Sequence, residues 1–345
     1  MTRTARLTDQ GELISTLPYI LGYHPRDALV LVFLRDREVQ FSARLDLPPP
    51  PGPLPDEVTV PLRAGIRRER PEVVMAIIFD DSRMAYRGLL SQVTRLCRRE
   101  KVRVGDRLLV AEGRWRDLDC SDPRCCPPEG RAVRSGDAVP AVAEFVAMGR
   151  NPLPDRESIE RFFEPPPEGC LAVTAPPKGP PPAESLQWRR DGLTAWGHIL
   201  GTRPSPGGVD EPVDPSVAQQ AVDLLSDLPL RDALIAWLCP DLSVVTGTKP
   251  STRRLVAECL GARRVPRDPL ASSDLTWRLR EFARALPPEA QARVLTVTGA
   301  HSWSLGEGIF ARVALARAAE LEPSQELASL LLHLVYAGVR LRPGA

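Results

Sequence analysis

Where proline sits constrains this chain most, because a residue without a backbone N–H interrupts the bonding of helix and sheet alike. Thirty-seven of the 345 residues are proline, and they are unevenly placed. Residues 48–55 form one proline run, and Arg203–Pro215 is a second stretch rich in proline and glycine. Glu164–Ser185 carries two Pro-Pro-Pro triplets with Gly169 and Gly179, which makes it the best candidate boundary. The expected organisation is therefore an α/β domain over residues 1–164, a proline-rich linker or loop over 165–185, and an α-helical domain over 186–340.

Before the boundary the pattern alternates. Leu13, Ile14, Leu17, Ile20 and Leu21 fall at helical spacing, with Thr8 or Asp9 available as the cap. Pro18 predicts a kink or restart in that helix before Gly22 ends it. Residues 28–34 are a continuous apolar run, and 38–47 alternate apolar and polar, so Arg35–Arg37 should close a hairpin. Further on, Val58–Arg70 reads as an ill-defined helix, Val73–Phe79 and Val102–Ala111 as strands, and the helix between them should start at Asp80-Asp81-Ser82. The sum is a mixed sheet with an N-terminal hairpin and helices packed on it.

After the boundary only helical periods appear, over about Leu186–Leu200, Pro215–Leu225, Leu230–Leu238, Ser251–Leu260, Ser273–Ala285, Pro288–Val297, Ser304–Leu321 and Ser324–Ala337. Ser304 and Glu307 have the spacing of a capping box. The alanine-rich pair that follows looks like the end of a tetratricopeptide unit. No second copy of a 34-residue repeat accompanies it, so a regular solenoid is not expected.

Lys and Arg number 45 against 44 Asp and Glu, so the molecule lacks the net positive field of a non-specific nucleic-acid binder. Lysine occurs only at Lys101, Lys178 and Lys249; the arginine excess fits a GC-rich genome and says little about anion recognition. The start of the chain has no secretory pattern and no apolar stretch is long enough to span a bilayer, so a cytoplasmic protein without a membrane partner is expected. Seven cysteines, an odd number and scattered except for one cluster, do not read as a disulfide framework, and most should be small core residues.

Three groups of residues resemble a known family as a set. They are Pro18-Tyr19-Ile20-Leu21-Gly22-Tyr23-His24-Pro25 with the strand after it, Gly113-Arg114-Trp115 with the block from Cys120 to Gly130, and the helical pair around Ala311–Leu332. Together they are similar to the actinobacterial domain of unknown function 4192 family. The resemblance implies no reaction, ligand or partner. It differs at Arg116-Asp117-Leu118-Asp119, where the family commonly has more aromatic and serine character.

Three places could carry chemistry. Cys120, Cys125 and Cys126 are three thiols within seven residues, enough for three zinc ligands with His24 or Cys97 as a fourth. The spacing is not that of paired zinc knuckles, and the favoured reading is a proline-stiffened loop whose thiols pack against Trp115, with no cofactor. Asp80, Asp81 and Ser82 stand at the carboxyl end of a strand, where α/β sheets bind ligands, though Asp and Ser are also ordinary helix caps. Tyr19, Tyr23 and His24 lie at the corner before the first strand and complete the candidate ligand pocket. Phosphate-loop, dinucleotide-fold, serine-hydrolase and zinc-protease motifs are absent. Five of the six tryptophans, Trp188, Trp196, Trp237, Trp277 and Trp303, fall in the helical half, where core packing explains them. The expectation is a non-catalytic interaction or regulatory module with a protein partner. The alternative is an enzyme or small-ligand binder with its site near Asp80, Asp81 and His24.

Overall fold

The first helix, α1 (Gln10–Leu21), starts where the Asp9 carboxylate accepts the Glu12 N–H at 2.9 Å. It ends at Gly22, whose φ of 83° lets its N–H reach Pro18 O at 2.7 Å. The restart expected at Pro18 does not occur. Pro18 forfeits one bond to the preceding turn, but Leu13, Ile14 and Leu17 are buried and hold the helix as one piece. The computed structural model describes residues 9–47, 52–82, 86–147, 151–177, 186–203, 213–242, 247–260 and 273–339. Parts of the proline run, of the 165–185 stretch and of the Arg203–Pro215 loop lie outside these residues.

Strands β1 (Ala28–Arg35) and β2 (Glu38–Asp46) form the expected hairpin. Asp36 and Arg37 both take positive φ, 52° and 65°, the pair of values a two-residue turn needs to follow the strand twist. Next come α2 (Asp56–Glu69), β3 (Val73–Phe79), α3 (Arg87–Arg99) and β4 (Arg103–Ala111). Two short strands, β5 (Arg114–Asp117) and β6 (Arg131–Ala132), extend the sheet beyond what the sequence pattern indicated. The order is β2-β1-β3-β4-β5-β6, with β3 and β4 parallel and every other neighbouring pair antiparallel.

Period-two alternation sorts the side chains onto two faces. Leu29, Leu31, Phe33, Val74, Ala76, Ile78 and Leu109 bury against Leu62 and Ile66 of α2 and Leu89, Leu90, Val93 and Leu96 of α3. Val30, Val32, Met75, Ile77, Phe79 and Leu108 belong to a second cluster with α1. Both faces are covered, which is why β1 and β3 read as unbroken apolar runs.

Two short helices, α4 (Pro140–Ala147) and α5 (Arg156–Glu160), precede the helical half. Among the described residues that half contains α6 (Leu186–Ile199), α7 (Pro215–Leu224), α8 (Leu228–Leu238), α9 (Pro250–Leu260), α10 (Ser273–Ala285), α11 (Pro288–Ser304), α12 (Gly308–Leu321) and α13 (Glu326–Tyr336). The architecture is thus a mixed α/β sheet followed by helices, as the sequence indicated. The second apolar cluster includes residues of both halves: Tyr23, Ile159 and Phe163 are fully buried in it together with Trp196, Leu279, Val294 and Leu315. Among the described residues, no helix is long and apolar enough to cross a membrane.

The capping box at Ser304 and Glu307 does not form. Buried positions from Ala290 to Trp303 carry α11 on through Ser304, whose hydroxyl bonds back to His301 O, and Glu307 precedes α12 without a capping bond. Helices α11 and α12 pack closely at Gly299, where an added Cβ would lie 2.5 Å from Leu315 Cγ and 3.3 Å from Ala311 O. Gly299→Ala should therefore destabilise the protein by about 1–3 kcal/mol, overpacking outweighing the roughly 1 kcal/mol by which alanine favours a helix. Urea unfolding checks this; a stabilised variant would mean that the two helices separate freely.

Candidate functional site

Beyond β4 the chain turns at Glu112 and Gly113, whose φ values of 49° and 71° make a second two-residue hairpin, and β5 runs back along the sheet. Trp115 on β5 is buried against the α1 side, where an added Cβ on Gly11 would touch its indole at 3.5 Å. The chain then leaves the sheet at Asp117 and returns as β6, where Arg131 pairs with Trp115 and Ala132 with Arg114. The cysteines lie in this excursion.

Its backbone is tightly tied. Asp122 O accepts the N–H groups of both Cys125 and Cys126, at 3.1 and 2.7 Å, and Asp122 Oδ1 accepts the Arg124 N–H at 2.9 Å. A second turn bonds Gly130 N–H to Pro127 O at 2.8 Å. Gly130 takes φ 79°, and a Cβ there would meet Trp115 O at 2.9 Å, so the loop can close against β5 only through glycine. Arg114 clamps the return, donating to Glu129 O at 2.9 Å and to Gly130 O at 2.7 Å.

This folding brings the sulfurs of Cys120, Cys125 and Cys126 within 4.8 Å of one another. A tetrahedral cation with sulfurs at about 2.3 Å spaces them about 3.8 Å apart, so small side-chain rotations close the set on one ion. The thiols do not pack into the core as expected: Cys125 is exposed and Cys120 and Cys126 are half-buried, because the loop stands off the sheet edge. The neighbouring thiols, Cys120 first and then Cys126, hold the Cys125 thiol above its usual range. The Arg131 guanidinium lies 3.8 Å from Cys125 Sγ and over the Trp115 ring, 5.6 Å from its centroid. Beside the loop, Arg114, Trp115, Arg116, Pro128, Glu129 and Gly130 line a cavity of about 20 Å³, room for about one water.

The two proposed fourth ligands are not brought to the loop. Cys97 is buried on α3 among the α2–α3 core residues, and burial pushes its thiol up to about 11. His24 precedes β1, three places from β5 in the sheet order, or about 14 Å at ordinary strand spacing. Among the described residues, the group whose ligand atoms converge is the three cysteines.

At the other candidate site, the helix after β3 starts at Arg87 and not at the aspartates, and its cap position, Tyr86, makes no side-chain cap bond. Asp80 is buried and closes a local turn: its carboxylate accepts the Ser82 N–H at 2.9 Å and the Ser82 hydroxyl. Asp81 is exposed and accepts the Glu112 N–H at 2.7 Å, tying this turn to the β4–β5 hairpin. These bonds use the carboxylates to hold the end of the sheet.

Tyr19 stacks on Phe145 of α4, with ring centroids 5.9 Å apart. Tyr23 is fully buried, and burial raises its hydroxyl above the usual range. The His24 side chain is largely open to solvent; its backbone N–H donates to Leu153 O at 3.0 Å, and partial desolvation of the ring, then the Arg26 charge, lowers its imidazole. The corner thus joins α1 and β1 to the segment before α5, where Tyr23 and Leu153 form a parallel bridge.

In the helical half Trp277 departs from expectation. It is 57% exposed on α10 and touches Phe162 edge-on, with centroids 6.2 Å apart, while Trp196 and Trp303 are buried. His301, which has no companion acid or thiol at motif spacing in the sequence, is part of a buried polar group. His301 Nε2 lies 3.0 Å from Thr276 Oγ1, and burial, then Arg280, lowers the imidazole to about 4. Arg280 pairs with Glu307 and stacks over Phe310, 3.8 Å from the ring centroid. These residues are far apart in sequence and share no motif spacing, so only the packing of α10, α11 and α12 assembles them.

No curated protein and no solved structure matches the chain. The model of the family described as "Domain of unknown function (DUF4192)" matches residues 11–341, nearly the whole length, and with the motifs of the α1 corner and the cysteine loop inside that match, the chain belongs to this family.

Proposed function

We propose that this protein is a non-catalytic, metal-responsive regulatory module that holds a thiophilic cation, zinc first among the candidates, on the loop of Cys120, Cys125 and Cys126. The observation that carries the reading is the convergence of three sulfurs within 4.8 Å, on a loop whose backbone is fixed by Asp122, Arg114 and Gly130. Thiolates select borderline and soft cations over magnesium or calcium. Because the loop joins β5 to β6, a bound ion would couple metal availability to the order of the outer sheet edge. A partner that reads this edge would then bind according to metal occupancy.

The test is metal analysis of the purified full-length chain, with Cys120→Ser, Cys125→Ser, Cys126→Ser and, as control, Cys170→Ser. The expected result is about one equivalent of zinc, lost or weakened at least 100-fold in each loop variant and kept in the control. Chelation should lower the melting temperature of the wild type and leave the loop variants unmoved. Zinc absent after reconstitution, or four variants that behave alike, would defeat the reading.

A further inference from the structure

We propose that the fourth ligand of the cation on this loop is an exogenous thiol, so that the loop is a thiol-binding site; this rests on the metal reading above. Three features of the loop support it. Cys125 is exposed and Cys120 and Cys126 are half-buried, so a donor from outside can reach the ion. Three thiolates already donate strongly, which weakens the cation as a Lewis acid toward water and favours a soft fourth donor over a carboxylate. Finally, a dication with four thiolates carries two negative charges, and Arg131 stands 3.8 Å from Cys125 Sγ to offset them. The guanidinium also lies over the Trp115 ring, 5.6 Å from its centroid, a contact that favours this placement beside the sulfur.

Binding on this view is a ligand exchange. The thiol sulfur forms a bond to the cation, a water leaves it, and the thiol proton passes to solvent. No oxidant or reductant takes part. The bound sulfur is then held as a thiolate at neutral pH.

The experiment uses full-length protein loaded with cobalt(II), whose thiolate-to-metal absorption counts sulfur ligands, and 2-mercaptoethanol as the probe. Cobalt should bind at one per chain with an absorption typical of three thiolates. Added 2-mercaptoethanol should raise that absorption by about one-third, the step from three sulfurs to four, and release protons into a weakly buffered solution. Acetate at the same concentration should do neither. Arg131→Gln should keep the cobalt and weaken the 2-mercaptoethanol titration several-fold. Cobalt bound with three-thiolate absorption that 2-mercaptoethanol leaves unchanged, or strips, overturns the thiol proposal while the metal reading stands. Failure of cobalt and zinc to bind at all overturns both.

Discussion

Trp196→Ala is expected to lower the free energy of unfolding by about 3–5 kcal/mol, the usual range for a large aromatic side chain removed from a packed core. Trp196 is fully buried, and its Nε1 donates to Ala221 O at 2.9 Å. Its ring meets Phe282 edge-on with centroids 5.7 Å apart, so one side chain joins α6 to α7 and to α10. Relaxation cannot easily fill the space, because Gly192 already lets α7 approach α6 closely: a Cβ there would lie 2.9 Å from Leu224. Trp196→Phe should cost less, since it keeps most of the ring and forfeits chiefly the hydrogen bond. Urea unfolding followed by circular dichroism is the measurement. A loss below about 1 kcal/mol for the alanine variant would contradict this account of the core.

Gln291→Ala is expected to cost about 2–4 kcal/mol, more than a surface glutamine would, because it orphans several buried groups at once. Gln291 is fully buried on α11. Its amide N–H groups donate to Phe163 O and Ala283 O, both at 2.9 Å, and its carbonyl accepts from Arg317 Nε at 2.8 Å. Phe163 belongs to the segment before the proline-rich stretch, whereas Ala283 and Arg317 lie on α10 and α12, so this one amide ties the α/β half to two helices. The loss should appear in urea unfolding, and native-state hydrogen exchange should show faster opening around residues 159–164. If exchange there is unchanged while stability falls, the amide matters only within the helical half.

Much of the fold was legible because it follows from local chemistry. The apolar runs of β1 and β3, the hairpin at Asp36 and Arg37, the Asp9 cap and the Gly22 terminus are each settled by residues within a few positions. The helices of the second half are likewise written in their 3.6-residue spacing and their flanking prolines. Local reading failed where a distant neighbour decided. Ser304 looks like a cap in sequence, but the buried face of α11 carries the helix through it. Asp80 and Ser82 look like the start of a helix, but their bonds close a turn at the sheet end and α3 begins later.

The cysteine loop divides in the same way. The sequence by itself determined that three thiols occur within seven residues and that prolines and Gly130 shape the chain between them. Their meeting depends on β6, a strand of two residues that exists only through its pairing with Arg114 and Trp115, and on Asp122 O gathering two N–H groups. Trp277 and the His301–Thr276 pair belong with these, since exposure and contact were set by how α10, α11 and α12 lie against one another. Periodicity fixes which side of an element is apolar, because that depends only on the backbone repeat. Whether side chains from separate elements converge depends on register and packing between them, and this is a property of the folded chain that no local window contains.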